Sequence, residues 1–193
     1  MAASRPPTEA MGTVRASFLA DDRNKRTIMT APWQRTFAAF AGPGIAHPSD
    51  ALRVTDDEAA ALLADIAGRP WLPAVHVGSG RHRGYAIRHT PDYGVTALFC
   101  EDAIVGFYAG SYLWIDRHHR GRGLSTPLIL AAAAVRDGTV LPPGVVVQGF
   151  SPVGLAAHRA AHQHAVLTAI AKGQAVPEAV RAELTAATTA TVR

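Results

Sequence analysis

The spacing of hydrophobic residues predicts a helical part, a stranded part and a second helical part. In the first part, Trp33, Phe37 and Phe40 recur at helical spacing and form one apolar stripe. This stripe predicts a helix over Ala31–Ala41 that packs against the core. Residues 1–30 show little periodicity, so we expect them to form a flexible N-terminal arm.

The clearest helix start in the sequence lies at Thr55. Thr55 and Glu58 have the spacing of a capping box, and Asp56 suits the positive end of a helix dipole. Gly68 and Pro70 end the pattern. The residues predicted to face the core are Ala59, Leu62, Leu63 and Ile66.

The segment from residue 71 to 116 changes to short β-branched and aromatic runs separated by turn residues. Because the turns are short, we expect neighbouring runs to pair as a meander of antiparallel strands. The runs are Val75–Val77, Gly84–His89, Val95–Cys100, Ile104–Ala109 and Tyr112–Asp116, with a further short run at Thr13–Leu19.

The remainder of the chain is mainly helical in pattern. Helices are predicted over Leu124–Val135, Gly154–Ala171 and Pro177–Ala187, and a buried strand over Val145–Gly149. The whole pattern predicts one α/β domain over residues 31–193, in agreement with the usual size of a domain.

Composition excludes several classes of protein. Cys100 is the only cysteine, which excludes an intramolecular disulfide and a four-cysteine zinc module, and we expect it to be a buried structural thiol. The longest apolar run, Pro127–Val135, is far shorter than the roughly 18 residues of a membrane span. The first residues lack the apolar stretch of a secretory signal. We therefore expect a cytoplasmic protein with no membrane partner.

The chain is moderately basic, with 19 Lys and Arg against 15 Asp and Glu, and a formal net charge of +4. Only Lys25 and Lys172 are lysines, and arginine is the side chain that suits carboxylates and phosphates. The excess of arginine over lysine is compatible with binding of a phosphorylated ligand, with binding of nucleic acid, or with a coding bias.

A glycine-rich turn joins the strand at Tyr112–Asp116 to the helix at Leu124–Val135. Gly121 and Gly123 allow a tight turn and a close approach of ligand to the backbone. The amides at the start of the helix would then face the ligand, which favours an anion. The alternative is a flexible basic loop.

Two common phosphate-binding motifs do not fit this turn. A P-loop requires a lysine after its second glycine, and no lysine lies near. A dinucleotide-binding turn requires a third glycine, and Thr126 occupies that position. Gly78-Ser-Gly80 precedes a strand rather than a helix, which indicates a hairpin loop.

The segment Arg120-Gly-Arg-Gly123-Leu-Ser125 resembles the diphosphate-binding motif of the GNAT superfamily of acyl-CoA-dependent N-acyltransferases, which reads Arg/Gln-x-x-Gly-x-Gly/Ala. Arg120 and Gly123 match, and Ser125 stands where Gly or Ala is usual. The phrase Ile104-Val-Gly-Phe107 before the motif resembles the family's third strand. A strand over Gly144–Ser151 and a helix over Gly154–Ala165 follow in the family's order. The similarity covers about residues 95–165, which we call the motif-bearing core.

The resemblance implies a central twisted sheet, mixed but mostly antiparallel, flanked by helices. The family usually ends in two strands, whereas residues 165–193 are helical in pattern here, so we expect a helical C-terminus in their place. The resemblance also implies acetyl-CoA or another acyl-CoA as co-substrate. The cofactor-binding residues it implies are Trp114, Ile115, Arg120, Gly121, Arg122, Gly123, Leu124 and Ser125.

In this family the amine of the acceptor attacks the thioester directly. The acceptor would be a small molecule or a peptide. His158 stands where the family commonly has a tyrosine that protonates the leaving thiolate, and a helix-surface histidine is the alternative. Asp116 at the strand end is the first candidate for the base, followed by His118 and His119, and a solvated turn would explain all three.

A metal site and two other functions are alternatives to an acyltransferase. His158 and His162 are four residues apart, but Arg159 replaces the glutamate of a zinc-protease helix and would repel a cation, so we expect no metal. A basic nucleic-acid-binding or nucleic-acid-modifying protein, using the same arginine-rich loop, is the alternative function. A binding module without catalysis and a homodimer stay open.

Overall fold

The computed structural model describes residues 30–42, 48–78, 80–141 and 149–191. In these residues the chain forms five strands and five α-helices. The strands are β1 (Val75–His76), β2 (Tyr85–His89), β3 (Val95–Cys100), β4 (Ala103–Ala109) and β5 (Tyr112–Ile115). The helices are α1 (Phe37–Ala41), α2 (Asp56–Ala67), α3 (Ser125–Ala134), α4 (Pro152–Ala171) and α5 (Glu178–Thr191).

The five strands form one antiparallel sheet in the order β1-β2-β3-β4-β5. This confirms the meander predicted between residues 71 and 116, since each of its five strands is present and no end differs from the prediction by more than one residue. The pairing of β3 with β4 contains a bulge, where Leu98 opposes Gly106 and Phe99 opposes Ile104. The extra residue, Val105, changes which face the following side chains occupy.

Each face of the sheet is covered by different helices. On one face, Ala59 and Ile66 of α2 pack against Phe107 and Trp114. On the other face, α3 lies against the sheet, and α4 packs on α3. The sheet therefore has helices on both of its faces.

The start of α2 has the predicted capping box. The Thr55 hydroxyl accepts from the Glu58 amide at 3.2 Å, and the Glu58 carboxylate accepts from the Thr55 amide at 2.8 Å. The bonds that the Thr55 amide and hydroxyl donate to the Glu58 carboxylate lower the pKa of Glu58, because they favour its ionised form. The helix start predicted from the spacing of Thr55 and Glu58 is therefore confirmed.

The predicted N-terminal helix is shorter than expected. Residues Pro32–Gln34 form a 3₁₀ turn, Arg35 is extended, and α1 begins only after Thr36, whose side chain accepts from the Ala39 amide at 3.3 Å. The predicted docking is present nonetheless, since Phe40 is fully buried in the core. The N-terminal arm and the strand predicted at Thr13–Leu19 lie outside the described residues.

The mixed sheet is not present in the described residues, where every strand pair is antiparallel. Most of the strand predicted at Val145–Gly149, residues 145–148, lies outside the described part. The helical C-terminus is confirmed by α4 and α5. Of the helices in the described ranges, none combines the length and apolar character needed to cross a bilayer.

A single buried arginine connects three turns of the fold. The side chain of Arg136, which follows α3, is 7% exposed and donates to carbonyl oxygens of Val140 at 2.6 Å, Gly94 at 3.0 Å, and Tyr93 and Gly110 at 3.4 Å. No carboxylate among the described residues pairs with it. These bonds fasten the end of α3 to the β2–β3 and β4–β5 turns.

Replacing Arg136 with methionine is expected to lower the free energy of unfolding by about 3 kcal/mol or more, because it leaves buried carbonyl oxygens without donors. Arg136→Lys retains a cation with fewer donors and should lower it by less. The measurement is urea unfolding, with Arg83→Met at an exposed arginine as the matched control. Equal effects of the two methionine substitutions would contradict the assignment.

Candidate active site

A cavity of about 730 Å³ lies beside β5. One wall is β5 together with the glycine-rich turn and the start of α3. The opposite wall is Gly149, Phe150 and the first turns of α4 as far as His158. A third side comes from residues 51–54 and Glu58 near the start of α2. The strand, glycine-rich turn and helix start that the sequence predicts as one unit therefore form one wall of the cavity.

The outer edge of β5 faces this cavity without a partner strand among the described residues. Ala109 opposes Tyr112 across the β4–β5 turn, and the Asp116 amide donates to Val105 at 2.9 Å. Because main-chain groups of an antiparallel strand alternate in direction, those of Leu113 and Ile115 lie on the outer edge. The main chain of Trp114 faces β4 instead.

The glycine-rich turn leads directly into an uncapped helix start. Gly121 and Gly123 have φ of 75° and 73°, in the left-handed region that favours glycine. No side chain caps α3, whose N-cap is Leu124, and Pro127 in its first turn has no N–H. The first-turn amides of Ser125 and its neighbour are therefore available to an anion in the cavity.

Arg120 joins the turn to both neighbouring elements. Its Nε donates to the Ile115 carbonyl at 2.6 Å, and its Nη2 lies 3.4 Å from Oδ1 of Asp56. The indole N–H of Trp114 donates to the same Asp56 oxygen at 3.4 Å. The guanidinium lies at the cavity wall and retains N–H groups that these contacts do not use.

Arg122 is exposed, does not line the cavity, and bonds residues on the other side of the turn. Its Nη1 donates to the Tyr85 hydroxyl at 2.8 Å, and its Nη2 donates to the His118 carbonyl at 3.2 Å. The Tyr85 hydroxyl also contacts Nδ1 of His119 at 2.8 Å. Arg122 was predicted to bind the cofactor, but its side chain stabilises the turn and does not line the cavity.

Asp116 likewise has a structural contact in place of the predicted catalytic one. Its carboxylate accepts from the His118 amide at 2.8 Å and caps a 3₁₀ turn over Arg117–His119. It does not line the cavity, and neither does His118. The chain turns sharply after β5, which carries the carboxylate out of the site, so the geometry does not support Asp116 as the base.

His158 lies at the back of the cavity and is only 1% exposed. Its Nδ1 donates to the Gly154 carbonyl at 2.7 Å, and its Nε2 accepts from the Tyr108 hydroxyl at 2.9 Å. Burial lowers the pKa of His158 to about 4 and raises that of Tyr108. At neutral pH Nε2 carries no proton, so the geometry does not support the predicted role as general acid.

His162, which the sequence analysis considered with His158 as a metal ligand, has structural contacts. His162 donates from Nε2 to the Arg35 carbonyl at 2.8 Å and packs against the Phe37 and Phe40 rings. No group of three metal-ligating side chains is assembled in the part of the chain that the structure describes. Cys100 was predicted to be buried and is instead partly exposed at the end of β3.

The structure brings seven of the eight predicted cofactor-binding residues to one cavity. Sequence reasoning missed Leu113, whose outward direction follows from the two-residue turn at Gly110-Ser111 and the alternation along β5. It also missed the opposite wall at Phe150 and Ser151. No short-range signal marks that wall, because only the packing of α4 places it there.

Comparison with known proteins returns no relative of this chain. No protein-family model, no curated protein and no solved structure matches it. The resemblance to the acyltransferase superfamily therefore depends on the loop motif, the order of elements and the cavity.

Acidification is expected to destabilise the protein through His158. Its pKa is about 4 when folded and near 6.5 when unfolded, so between these values the unfolded state binds more protons. The contribution is complete above pH 6.5 and is lost as the pH falls towards 4. The shift corresponds to about 3 kcal/mol.

The measurement is denaturant unfolding at a series of pH values for the native chain and for His158→Gln, which keeps an acceptor and a donor without titrating. The stability of the native chain should fall more steeply below pH 6.5. Burial also lowers the pKa of His162, so a slope remains in the variant. Identical slopes would show that His158 does not titrate as assigned.

Proposed function

We propose that this protein is an acyl-CoA-dependent N-acyltransferase that moves an acetyl group to an amine. The observation that carries the proposal is the cavity between the free edge of β5 and the start of α4, continuous with the uncapped start of α3. A long ligand with an anionic end and an amide-bearing arm fits such a surface. The resemblance of residues 120–125 to the family's motif points to the same ligand.

The turn would hold the diphosphate of acetyl-CoA mainly through main-chain amides. Gly121, Gly123 and Ser125 line the cavity where the helix dipole favours negative charge. Arg120 adds a cation at the same wall, and its bond to Ile115 fixes its position. Two arginines were predicted here, and only Arg120 has its guanidinium at the cavity.

The outer edge of β5 would bind the amide groups of the pantetheine arm. Leu113 and Ile115 direct main-chain groups towards the cavity, as a strand edge does when it binds an extended peptide. The Ile115 carbonyl already accepts from Arg120, so the remaining outward groups are its N–H and the main chain of Leu113. An amide at this edge would polarise the thioester carbonyl.

In the proposed reaction the acceptor nitrogen attacks the thioester carbonyl carbon. A C–N bond forms, the C–S bond breaks, and the sulfur leaves as a thiolate. His158 carries no proton on Nε2, and Asp116 lies outside the cavity. His119, the remaining candidate base, lines the cavity with its Nδ1 bonded to the Tyr85 hydroxyl. In the proposed mechanism the nitrogen proton therefore passes to water, and water protonates the thiolate. The acceptor is a small-molecule or peptide amine.

The alternative, binding of nucleic acid by the same loop, has less support. Arg122 is engaged by Tyr85 and His118, and Arg120 by Ile115 and Asp56. A surface that neutralises a phosphate backbone needs side chains free to reach it. The internal bonds leave the main-chain amides inside the cavity as the main anion-binding groups, which favours a small ligand.

The proposal is tested by release of free thiol from acetyl-CoA with a panel of small amines and peptides, together with calorimetric binding of acetyl-CoA. Gly121→Ala should weaken binding about tenfold or more, which corresponds to 1.4 kcal/mol. A Cβ at Gly121 meets no protein atom within 4 Å, and Gly121 lines the cavity, so we expect the added methyl group to hinder the close approach of a ligand to the main chain.

Gly173→Ala is the matched control, since Gly173 has a similar φ of 68° and equally open space but lies away from the cavity. Both substitutions are expected to reduce stability by about 1–2 kcal/mol through backbone strain. Only Gly121→Ala should weaken acetyl-CoA binding. No binding by the native chain at millimolar acetyl-CoA, or tight salt-dependent binding of RNA in its place, would overturn the proposal.

A further inference from the structure

Tyr85, Arg122 and His119 form a hydrogen-bonded group behind the glycine-rich turn. Tyr85 lies on β2 and is 3% exposed, so its hydroxyl has little access to water. The hydroxyl contacts Nη1 of Arg122 and Nδ1 of His119, both at 2.8 Å. Arg122 is in turn braced by its bond to the His118 carbonyl.

The chemistry of these partners determines which nitrogen of His119 carries the proton. An arginine can only donate, so the Tyr85 oxygen accepts from Arg122. The buried Tyr85 O–H requires an acceptor, and Nδ1 of His119 is the one that the described residues supply. His119 is therefore in the tautomer with hydrogen on Nε2.

The remaining nitrogen of His119 has no hydrogen-bond partner among the described residues. His119 lines the cavity together with Arg120 and Gly121. A donor in a fixed orientation at the wall of an anion site is suited to a phosphate oxygen.

We propose that His119 is a ligand-binding residue whose Nε2–H donates to a phosphate oxygen of the acyl-CoA diphosphate, with Tyr85 as the positioning residue that holds this tautomer. The inference rests on the proposed function. It adds a side-chain donor outside the glycine motif, supplied by the 3₁₀ turn that precedes it.

The arrangement also fixes the turn before a ligand arrives. Nε2 of His82 donates to the Arg122 carbonyl at 2.9 Å, so the turn is held from β2 by Tyr85 and from the loop before β2 by His82. A side chain that is already ordered loses less conformational entropy on binding. Tyr85 therefore affects affinity through His119 and the turn, without touching the ligand.

The test measures calorimetric binding of acetyl-CoA to His119→Ala, His119→Gln and His118→Ala. His119→Ala should weaken binding about tenfold, as for loss of a hydrogen bond to a charged group. His119→Gln places an amide N–H near the position of Nε2–H and should restore part of the loss. His118→Ala is the matched control, because this neighbouring exposed histidine does not line the cavity, and its binding should be unchanged.

Tyr85→Phe tests the positioning role by a double-mutant cycle. It removes only the hydroxyl, and it should weaken binding several-fold in the native background but much less in the His119→Ala background. Melting temperatures without ligand identify variants with a folding defect. A loss of the same size in both backgrounds would show that Tyr85 does not act through His119.

The outcomes separate this inference from the function on which it rests. If the native chain does not bind acetyl-CoA, both are overturned. If the native chain binds and His119→Ala binds equally well, the assignment of His119 is wrong and the proposed function stands. A loss that is equal in the two alanine variants would also overturn it, because it would indicate a general effect on the turn.

Discussion

The guanidinium of Arg136 is buried, has no carboxylate partner among the described residues, and is held by carbonyl oxygens from three turns. Both of its Nη atoms donate to these oxygens, while its buried Nε has no partner among the described residues. Because a buried cation needs such bonds, the three turns are held in position relative to one another. One of them closes the β4–β5 hairpin, whose outer edge borders the cavity. Arg136 itself follows α3, whose opposite end receives the glycine-rich turn. Arg136 therefore connects the β4–β5 hairpin to the end of α3, and the glycine-rich turn joins the same two elements.

The arginines of the site mainly organise the protein. Arg122 bonds Tyr85 and His118, and Arg120 bonds the edge of β5. Under the proposed function, anion binding would be left largely to main-chain amides, which need no side-chain ordering and are directed by the helix start. The two glycines permit this, because at their positive φ another residue would be strained. The proposed use of His119 follows the same logic, since Tyr85 fixes its orientation beforehand.

Three histidines of this chain differ in their chemical properties because they differ in burial. Burial lowers the pKa of His158 and of His162, and the hydrogen bond that each donates to a carbonyl oxygen acts in the opposite direction. His119 instead lies at the cavity wall, where no described residue bonds its Nε2. In the sequence, His158 was the favoured catalytic residue because of its place on α4. Its bond to Tyr108 depends on the bulge at Val105, which places Tyr108 on the face covered by α3 and α4.

The sequence by itself determined the features that arise from neighbouring residues. The capping box at Thr55, the order of the antiparallel strands and the strand–turn–helix unit around Gly121 and Gly123 all depend on contacts within a few residues, so their patterns are legible. Only the tertiary structure decided where side chains of the turn point and which groups meet across the cavity. Arg122 does not line the cavity, because β2 places the Tyr85 hydroxyl within its reach. Such contacts join residues far apart in the chain, and a long side chain bonds whichever partner the packed fold brings within reach.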